Sequence, residues 1–346
     1  MRRAVLWALL ALPSWHAGAT DSTLGRVEVQ GESAVAREKK TLAQLFKAEA
    51  LFEKHRALAP LATLKFKVYA RTQADTAPSL DLGLMVPGGR QPLHLDAQDR
   101  FVIDPAWRQL DDATEVRSRL ADGRVTWRPD IRTPGLPEGE RRLGDLRLQC
   151  RVAFNSGVAR SALVFGFLPS LSDGCGHAAW SSSNFADQPV FAVTLVHGER
   201  RLTLSGRLLH GLRDRGGERY DWGYSLRERM FRFPMGDTQW PDDTRVLFES
   251  IEDPPSPPED ALLASGDPWT RPALTPGMSP ADVSALLGPA VDDLRFESGR
   301  RVQRRMHAVK TAEGPLPLEW VSLFDADDRL VKSQLRRDQG PMFNRP

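Results

Sequence analysis

The sequence predicts an α+β protein built mostly from antiparallel strands, with an amphipathic helix near the N-terminus and a small two-layer α+β module near the C-terminus. Apolar residues recur every three or four positions between residues 33 and 58, short alternating segments fill much of 61–250, and a capped short helix precedes more alternating segments after residue 268. At 346 residues, with 41% hydrophobic content, the chain is long enough for two or three domains with their own cores.

The segment 1–19 has the pattern of a cleavable signal peptide. It begins Met-Arg-Arg, continues with an apolar run over residues 4–12, and ends with small residues at 17–19, before an expected cleavage site at Thr20. The apolar run is too short to span a bilayer, which requires about 20 residues. We therefore expect a periplasmic protein without a transmembrane segment; peripheral association with the outer membrane is left open as an alternative. Because no cysteine follows the expected cleavage site, no lipid anchor is predicted.

The charge balance and the missing motifs exclude several classes of function. The chain has 47 Lys and Arg against 45 Asp and Glu, and it has no basic stripe with interleaved aromatic residues, so nucleic-acid binding is not predicted. Phosphate-loop, HExxH, GxSxG and SxxK motifs are absent. The histidines are dispersed without metal-ligand spacing, so we predict neither a metal nor a cofactor. We predict a non-enzymatic protein, although an active site assembled from distant residues would leave no local signature.

Cys150 and Cys175 are the two cysteines of the chain, and in an oxidising compartment they are predicted to form a disulfide. Closing this loop would stabilise the fold by about 3 kcal/mol on the chain-entropy model. The alternative is that Cys175 is a thiol nucleophile with His177 as its base. A two-residue spacing does not support that alternative, because catalytic Cys and His residues usually come from distant points in a sequence.

The region 20–60 is predicted to contain a leader followed by an amphipathic helix over 33–58. The polar face of this helix mixes both signs of charge, which favours docking on the core of its own domain over binding to a membrane. Pro60 is expected to end the helix. The apolar stripe consists of Leu42, Leu45, Phe46, Ala48, Leu51 and Phe52.

Two β-rich units are predicted next, a sandwich-like domain over 61–159 and a second unit over 160–250. Both contain short segments that alternate or run apolar, separated by turn residues. The predicted strands are 64–69, 80–84, 100–103, 125–127 and 146–152 in the first unit, and 162–167, 190–196 and 201–204 in the second.

Aromatic residues cluster in the second unit, where flat rings could stack on a sugar. The alternative is that they form the core of the unit and its rim, which strand alternation predicts in any case. This cluster is the basis for an alternative function, a secreted enzyme or carbohydrate-binding protein centred on the unit. Its members are Tyr220, Trp222, Tyr224, Phe231, Phe233 and Trp240.

A proline-rich linker is predicted over 251–267, because four prolines stand among acids and a serine in residues 252–260. Such a segment has nothing to bury and favours an extended spacer. The sequence therefore predicts that the following module, 268–336, is independent of the β-rich body, and that 337–346 is a tail.

The module begins with a helix that has clear boundaries. Ser279 is a favoured N-cap, Pro280 takes the first helical position, and Gly288-Pro289 stops the helix. Strands are predicted afterwards at 294–296, 302–306, 319–324 and 330–332. This order resembles the SmpA/OmlA family of envelope domains, to which the E subunit of the outer-membrane barrel assembly machine belongs. The resemblance implies a helix packed across a small antiparallel sheet and a role in protein recognition.

The resemblance implies a partner in the envelope or outer membrane, and a non-enzymatic role in interaction or assembly. The family usually has aromatic residues where this chain has Arg304, Arg305 and His307. We predict that these three side chains lie on an exposed surface of the module and bind the partner.

Overall fold

A computed structural model of the chain describes residues 38–71, 80–120, 124–158, 175, 181–211, 224–254, 272–311 and 314–339. The predicted signal peptide, the predicted strand at 162–167, most of the proline-rich linker and most of the tail lie outside these ranges. All the described residues belong to one compact unit that starts at Ala36. No helix among them has the length and apolar character needed to cross a membrane.

The described ranges contain three α-helices and seventeen strands in antiparallel sheets, so the predicted α+β class is confirmed. The helices are α1 (Leu42–Lys54), α2 (Leu143–Ser156) and α3 (Pro280–Leu287). The strands are β1 (Lys39–Thr41), β2 (Thr63–Ala70), β3 (Leu82–Val86), β4 (Gly89–Pro92), β5 (Arg100–Phe101), β6 (Glu115–Ser118), β7 (Val125–Arg132), β8 (Glu140–Arg142), β9 (Ser181–Phe185), β10 (Val190–His197), β11 (Arg200–Thr203), β12 (Met230–Pro234), β13 (Arg245–Ser250), β14 (Asp292–Arg295), β15 (Arg301–Thr311), β16 (Gly314–Phe324) and β17 (Leu330–Arg337).

The first core lies between two sheets, ordered β1-β6-β3-β4 and β5-β2-β7, and the helices α1 and α2. Helix α1 is shorter than predicted, because residues 39–41 pair with β6 as a strand. Thr41 and Gln44 form a capping box that starts the helix. The apolar stripe of α1, including Leu45 and Phe52, is buried in this core, which is the docked arrangement that the mixed charges of the polar face favour.

The strand predicted at 146–152 is wrong, because these residues form the middle of α2. The helix is buried on two sides: Leu148 and Val152 face the first core, whereas Leu146 and Cys150 face a second core. Each pair is separated by four residues, as neighbours on one helical face are. The two pairs interleave in the sequence and therefore imitate the two-residue period of a strand.

The second core is built on the sheet ordered β11-β10-β13-β8, the β9–β12 pair and one side of α2. Strand β8 comes from the predicted first unit but pairs with β13 of the second. The sheet therefore crosses the boundary predicted at 159/160. The predicted disulfide is confirmed: Cys150 of α2 is bonded to Cys175, with 5.9 Å between their Cα atoms.

The C-terminal module has the predicted elements. Helix α3 begins at Pro280 with a capping box between Ser279 and Asp282, and Gly288 follows its last turn. The four strands form a sheet in the order β14-β15-β16-β17. Val283 of α3 is buried with Phe324 and Leu330 of this sheet.

The predicted independence of the module is wrong, because its sheet shares a buried core with the β-rich body. Phe191 and Ile251 of the body pack in one cluster with residues of the module that include Phe296, Val302 and Val321. A run of prolines in the connecting segment says nothing about the surfaces on either side of it. We call this contact the module junction, defined by those five residues and the buried polar contacts around them.

Polar contacts reinforce the module junction. Glu319 of the module accepts a hydrogen bond from the backbone N–H of Gly206 at 2.6 Å and one from the Ser205 hydroxyl at 3.0 Å. A Cβ atom on Gly206 would lie 2.9 Å from Cγ2 of Val321, so the glycine permits the close approach. Arg336 donates to the backbone carbonyl of Phe191 at 2.7 Å.

Candidate functional site

The sheet ordered β5-β2-β7 has one apolar face and one charged face. Along β2, Phe66 and Val68 are in the first core, whereas the alternate residues Lys65, Lys67 and Tyr69 point to the other side. The register places Asp130 of β7 opposite Lys65, and Arg100 of β5 opposite Lys67. A half-exposed sheet normally shows such a face to water.

Here the charged face is the floor of a cleft with a volume of about 1000 Å³. The loop over residues 133–140 forms one wall of the cleft. Segments 187–189 and 226–229 of the second β unit contribute another, and Arg300 of the C-terminal module reaches its edge. The cleft is therefore assembled from three regions that are distant in the sequence.

Asp187 is a carboxylate of the cleft that lies among three cations. Arg132 makes a bidentate contact with it, from Nη1 to Oδ2 at 2.6 Å and from Nη2 to Oδ1 at 2.8 Å. Lys67 adds an ion pair at 2.5 Å, and Nη2 of Arg100 lies 4.0 Å away. The Asp187 side chain is 35% exposed, whereas Lys67 and Arg132 are 8% and 23% exposed, so the carboxylate lies at the open side of its own cations.

Asp130 is the inner carboxylate, with a side chain only 2% exposed. It pairs with Nε of Arg100 at 2.8 Å and Nε of Arg132 at 2.9 Å, and Nη1 of Arg141 lies 3.7 Å away. Arg141 is buried as well and donates to the backbone carbonyl of Ile131. Its Nε has no hydrogen-bond partner.

Asp145 lines the cleft but belongs to the start of α2. Its carboxylate accepts hydrogen bonds from the backbone N–H and the hydroxyl of Thr133, at 3.0 and 2.8 Å, and one from the backbone N–H of Arg142 at 3.3 Å. A carboxylate in the first turn is also stabilised by the helix dipole. These contacts stabilise the Asp145 carboxylate, and its negative charge also acts on Arg141.

Cations are in excess at the floor of the cleft. Lys67, Arg100, Arg132 and Arg141 surround two carboxylates, Asp130 and Asp187. Arg229 adds a further guanidinium, which donates to the backbone carbonyl of Asp187 at 2.8 Å.

Two other carboxylates of the cleft lining have cationic partners outside this group. Glu140 is bonded to Arg245 at 2.6 Å, and Glu228 lies 3.9 Å from Arg300. The lining as a whole, which also contains Asp99 and Glu138, is close to neutral. The excess of cations is local to the floor, and that is where an anionic group would fit.

The same cluster shifts the acid–base behaviour of its members. Burial alone would raise the pKa of Asp187, but the hydrogen bonds and charges of Arg132 and Lys67 outweigh it and hold that pKa well below its usual range. Burial, together with the charges of Asp130 and Asp187, raises the pKa of Tyr69. Asp187 is therefore charged, and the Tyr69 phenol neutral, throughout the physiological range.

The residues predicted to bind a partner are not presented as expected. Arg304 is 6% exposed and bonds to Asp292 at 2.7 Å and to Glu319 at 3.2 Å. Arg305 is 1% exposed; it donates to the Gly288 carbonyl at the end of α3 and to the Ser284 hydroxyl, both at 2.9 Å. The predicted exposure of both arginines is therefore wrong.

Both arginines are buried because the sheet of the module is covered on both faces. Alternation points Arg304 toward the body and Arg305 toward α3, where its positive charge suits the C-terminal end of the helix. His307 is half-buried, and its predicted role stays a prediction.

The aromatic residues and the cysteines also have structural positions. Phe231, Phe233 and Trp240 are buried in the second core, so none of the three is available as a sugar platform. Tyr220 and Trp222 lie outside the described residues, as does His177. Since Cys175 is bonded to Cys150, the nucleophile alternative is wrong.

The sequence shows the alternation of β2 but does not indicate what its polar side faces. What makes that side a site is the approach of Asp187, which is 120 residues from Lys67. One signal was present in the sequence. Two lysines lie on one face of β2, and an Asp and two Arg lie on one face of β7. This is more charge than an exposed strand needs.

Comparisons of the chain with protein-family models, with curated proteins and with solved structures give no match. Among the described residues, no three His, Cys, Asp or Glu side chains are grouped as metal ligands would be. The function is therefore argued from the cleft.

Proposed function

We propose that the chain is an exported, non-enzymatic binding protein that holds a small polar ligand in the cleft above the β5-β2-β7 sheet. The observation that carries the proposal is the charged floor of the cleft, which lies beneath Asp187 and beside a cavity of about 1000 Å³. Export is proposed from the signal-peptide pattern of residues 1–19.

The size and the lining of the cleft support a small-molecule ligand. Binding sites for small molecules usually enclose about 300 to 1000 Å³, with a few placed polar groups in an otherwise apolar lining. This cleft is at the upper end of that range, and its floor is unusually rich in charge. The Nε of Arg141, a residue of the cleft lining, has no hydrogen-bond partner. A polar ligand could supply one, whereas an apolar ligand could not.

The test is a binding screen with a variant that fills the cleft. Ala97 is exposed, lines the cleft and has no part in the ion pairs of its floor, so Ala97→Trp should block entry while it keeps every charged group. Ala113 is an exposed alanine outside the cleft lining, and Ala113→Trp is the matched control.

We expect calorimetry with a panel of amino acids, dicarboxylates, sugar phosphates, polyols and oligosaccharides to find a polar ligand. Its affinity should fall at least about tenfold, or 1.4 kcal/mol, in Ala97→Trp and be unchanged in Ala113→Trp. Equal binding by both variants would place the ligand elsewhere, and a panel without any binder would count against the proposal.

A second candidate function keeps the envelope-interaction role and its SmpA/OmlA-like module. The observation that favours it is the exposure of four large apolar side chains of the module, Leu286 (48%), Val291 (53%), Met306 (37%) and Val331 (42%). Exposed apolar residues of this kind are common in protein contacts but also occur singly on ordinary surfaces. Pull-down from envelope extract should lose the partner in Leu286→Lys or Val291→Lys, and unchanged capture by both variants would remove this candidate.

A further inference from the structure

The contact between Asp187 and Arg132 has the geometry of a ligand contact. Two parallel N–H···O bonds, at 2.6 and 2.8 Å, are how a guanidinium recognises a carboxylate or a phosphate. Lys67 adds an ion pair, with its Nζ 2.5 Å from Oδ1 of Asp187. The protein therefore already contains a recognition site for an anionic group, and a side chain of its own occupies it.

Asp187 is also the member of the cluster that can leave most easily. It lies between β9 and β10 and is not part of either strand, whereas Lys67 and Arg132 are fixed in the paired strands β2 and β7. Its side chain is more exposed than those of its cationic partners and borders the cavity. An anion entering the cleft would meet this carboxylate before it meets the cations beneath.

The charges favour replacement of Asp187 over simple loss of its contact. Without it, the four cations Lys67, Arg100, Arg132 and Arg141 would face two carboxylates, those of Asp130 and Asp145, and buried like charges repel one another strongly. An incoming anion restores the balance that Asp187 provides. Protonation cannot free the site near neutral pH, because the cations hold the pKa of Asp187 well below its usual range.

We propose that Asp187 occupies the place of the ligand's own anionic group, and that the ligand binds by exchanging its carboxylate or phosphate for the Asp187 carboxylate on Arg132 and Lys67. This inference rests on the proposed function of the cleft and specifies the chemistry of its ligand. Asp187 is then an intramolecular competitor, which lowers the affinity of the site and keeps it closed when the ligand is absent.

The experiment compares Asp187→Asn with a matched pair elsewhere in the chain. Asp242 is bonded to Arg147 at 2.5 Å, and the two side chains are 39% and 12% exposed. That exposure is close to that of Asp187 with its cations, but neither residue lines the cleft. Asp242→Asn therefore controls for the loss of any half-exposed carboxylate from a buried arginine.

Inorganic phosphate and succinate are the probes, titrated at constant ionic strength against sodium chloride and followed by calorimetry and thermal melting. We expect Asp187→Asn to bind one of the probes about tenfold more tightly than the wild type does, because the internal competitor is gone. Asp242→Asn should match the wild type, and Arg132→Gln, alone or combined with Asp187→Asn, should abolish the binding. The probe that binds identifies the group as a carboxylate or a phosphate.

Two results would overturn the inference: equal responses of Asp187→Asn and Asp242→Asn, or a gain in Asp187→Asn that sodium chloride reproduces. If Asp187→Asn does not fold alone, its refolding yield decides: rescue by phosphate or succinate but not by chloride supports the exchange, and equal yields contradict it. A neutral ligand that Ala97→Trp excludes and Asp187→Asn leaves unchanged would keep the proposed function and reject this inference.

Discussion

The module junction and the cleft both bury charged side chains between β units, but they differ in how the charges are balanced. At the junction one cation pairs with one carboxylate across the contact, Arg207 with Asp338 at 2.7 Å and Lys332 with Glu249 at 3.3 Å, next to a packed apolar cluster. At the floor of the cleft four cations share two carboxylates beside a cavity.

This difference distinguishes contacts that hold two parts of the protein together from contacts that can bind a ligand. A buried ion pair whose charges match and whose surroundings are packed can only hold two surfaces together. A buried cluster with unmatched charge and open volume can exchange partners. Charged residues in the sequence do not reveal which case applies, because both depend on neighbours brought by the fold.

The largest effect is expected from Glu319→Ala at the junction. The substitution leaves the Gly206 N–H and part of Arg304 without a partner in a buried place, which typically costs about 3 to 5 kcal/mol. Urea denaturation followed by circular dichroism measures the change in the free energy of unfolding. Glu53→Ala is the control, since Glu53 and its partner Arg56 are 56% and 42% exposed and such pairs contribute little. Similar losses in the two variants would mean that the junction contacts are no stronger than surface ones.

The next effect concerns the disulfide that anchors α2. The double variant Cys150→Ser, Cys175→Ser should lose about 3 kcal/mol of stability, because the unfolded chain regains the entropy of an open loop. Since α2 faces both the first and the second core and the module shares a core with the body, we expect one cooperative unfolding transition. A module signal that melts separately in this variant would restore the independent module that the linker predicts.

The pH dependence should separate the two regions further. His210 is buried at the junction, with Nε2–H donating to the Val190 carbonyl at 2.8 Å and its ring against Phe296. Burial lowers its pKa from 6.5 to about 4. Below pH 6.5 the unfolded chain therefore takes up a proton that the folded chain refuses. Stability should fall between about pH 6.5 and 4, by on the order of 3 kcal/mol in total.

At the cleft, stability depends on pH only in a more acidic range, because the folded pKa of Asp187 lies below its unfolded value of 3.8. Its contribution is fully present above that pH and is lost only in stronger acid.

His210→Asn tests the contribution of His210, because asparagine tolerates the left-handed backbone at this position, where φ is 59°. Chemical denaturation at pH 7 and pH 4.5 should show a smaller pH effect in this variant than in the wild type. An unchanged difference would assign the acid sensitivity to other groups.

Local chemistry explains which elements could be predicted. Ser279, Asp282 and Gly288 specify the ends of α3 without help from distant residues, and the prediction for that helix is confirmed. Helix α2 could not be predicted in the same way, because its two-sided burial depends on cores supplied by distant strands. Its apolar residues alternate as they would in a strand, and only the two cores on either side of the helix explain that alternation.

The candidate site could not be predicted for a related reason. Lys67 belongs to a predicted strand, whereas Arg132 lies beyond the strand predicted at 125–127. Nothing near either residue in the sequence indicates that Asp187 covers them. The predicted exposure of Arg304 and Arg305 is wrong for the opposite reason: the resemblance to the SmpA/OmlA family implies a surface position for them, and the fold covers that surface. In this chain one face of the sheet meets the body and the other meets α3.

The module junction changes the role of the proline-rich segment. Because buried contacts hold the module on the body, the peptide connection across residues 255–271 acts mainly as a tether that sets a high effective concentration. The module is then an intramolecular ligand of its own body, and its occupancy depends on the affinity of the junction. A cut in that connection by a protease would leave a complex of two fragments, from which dilution could remove the module.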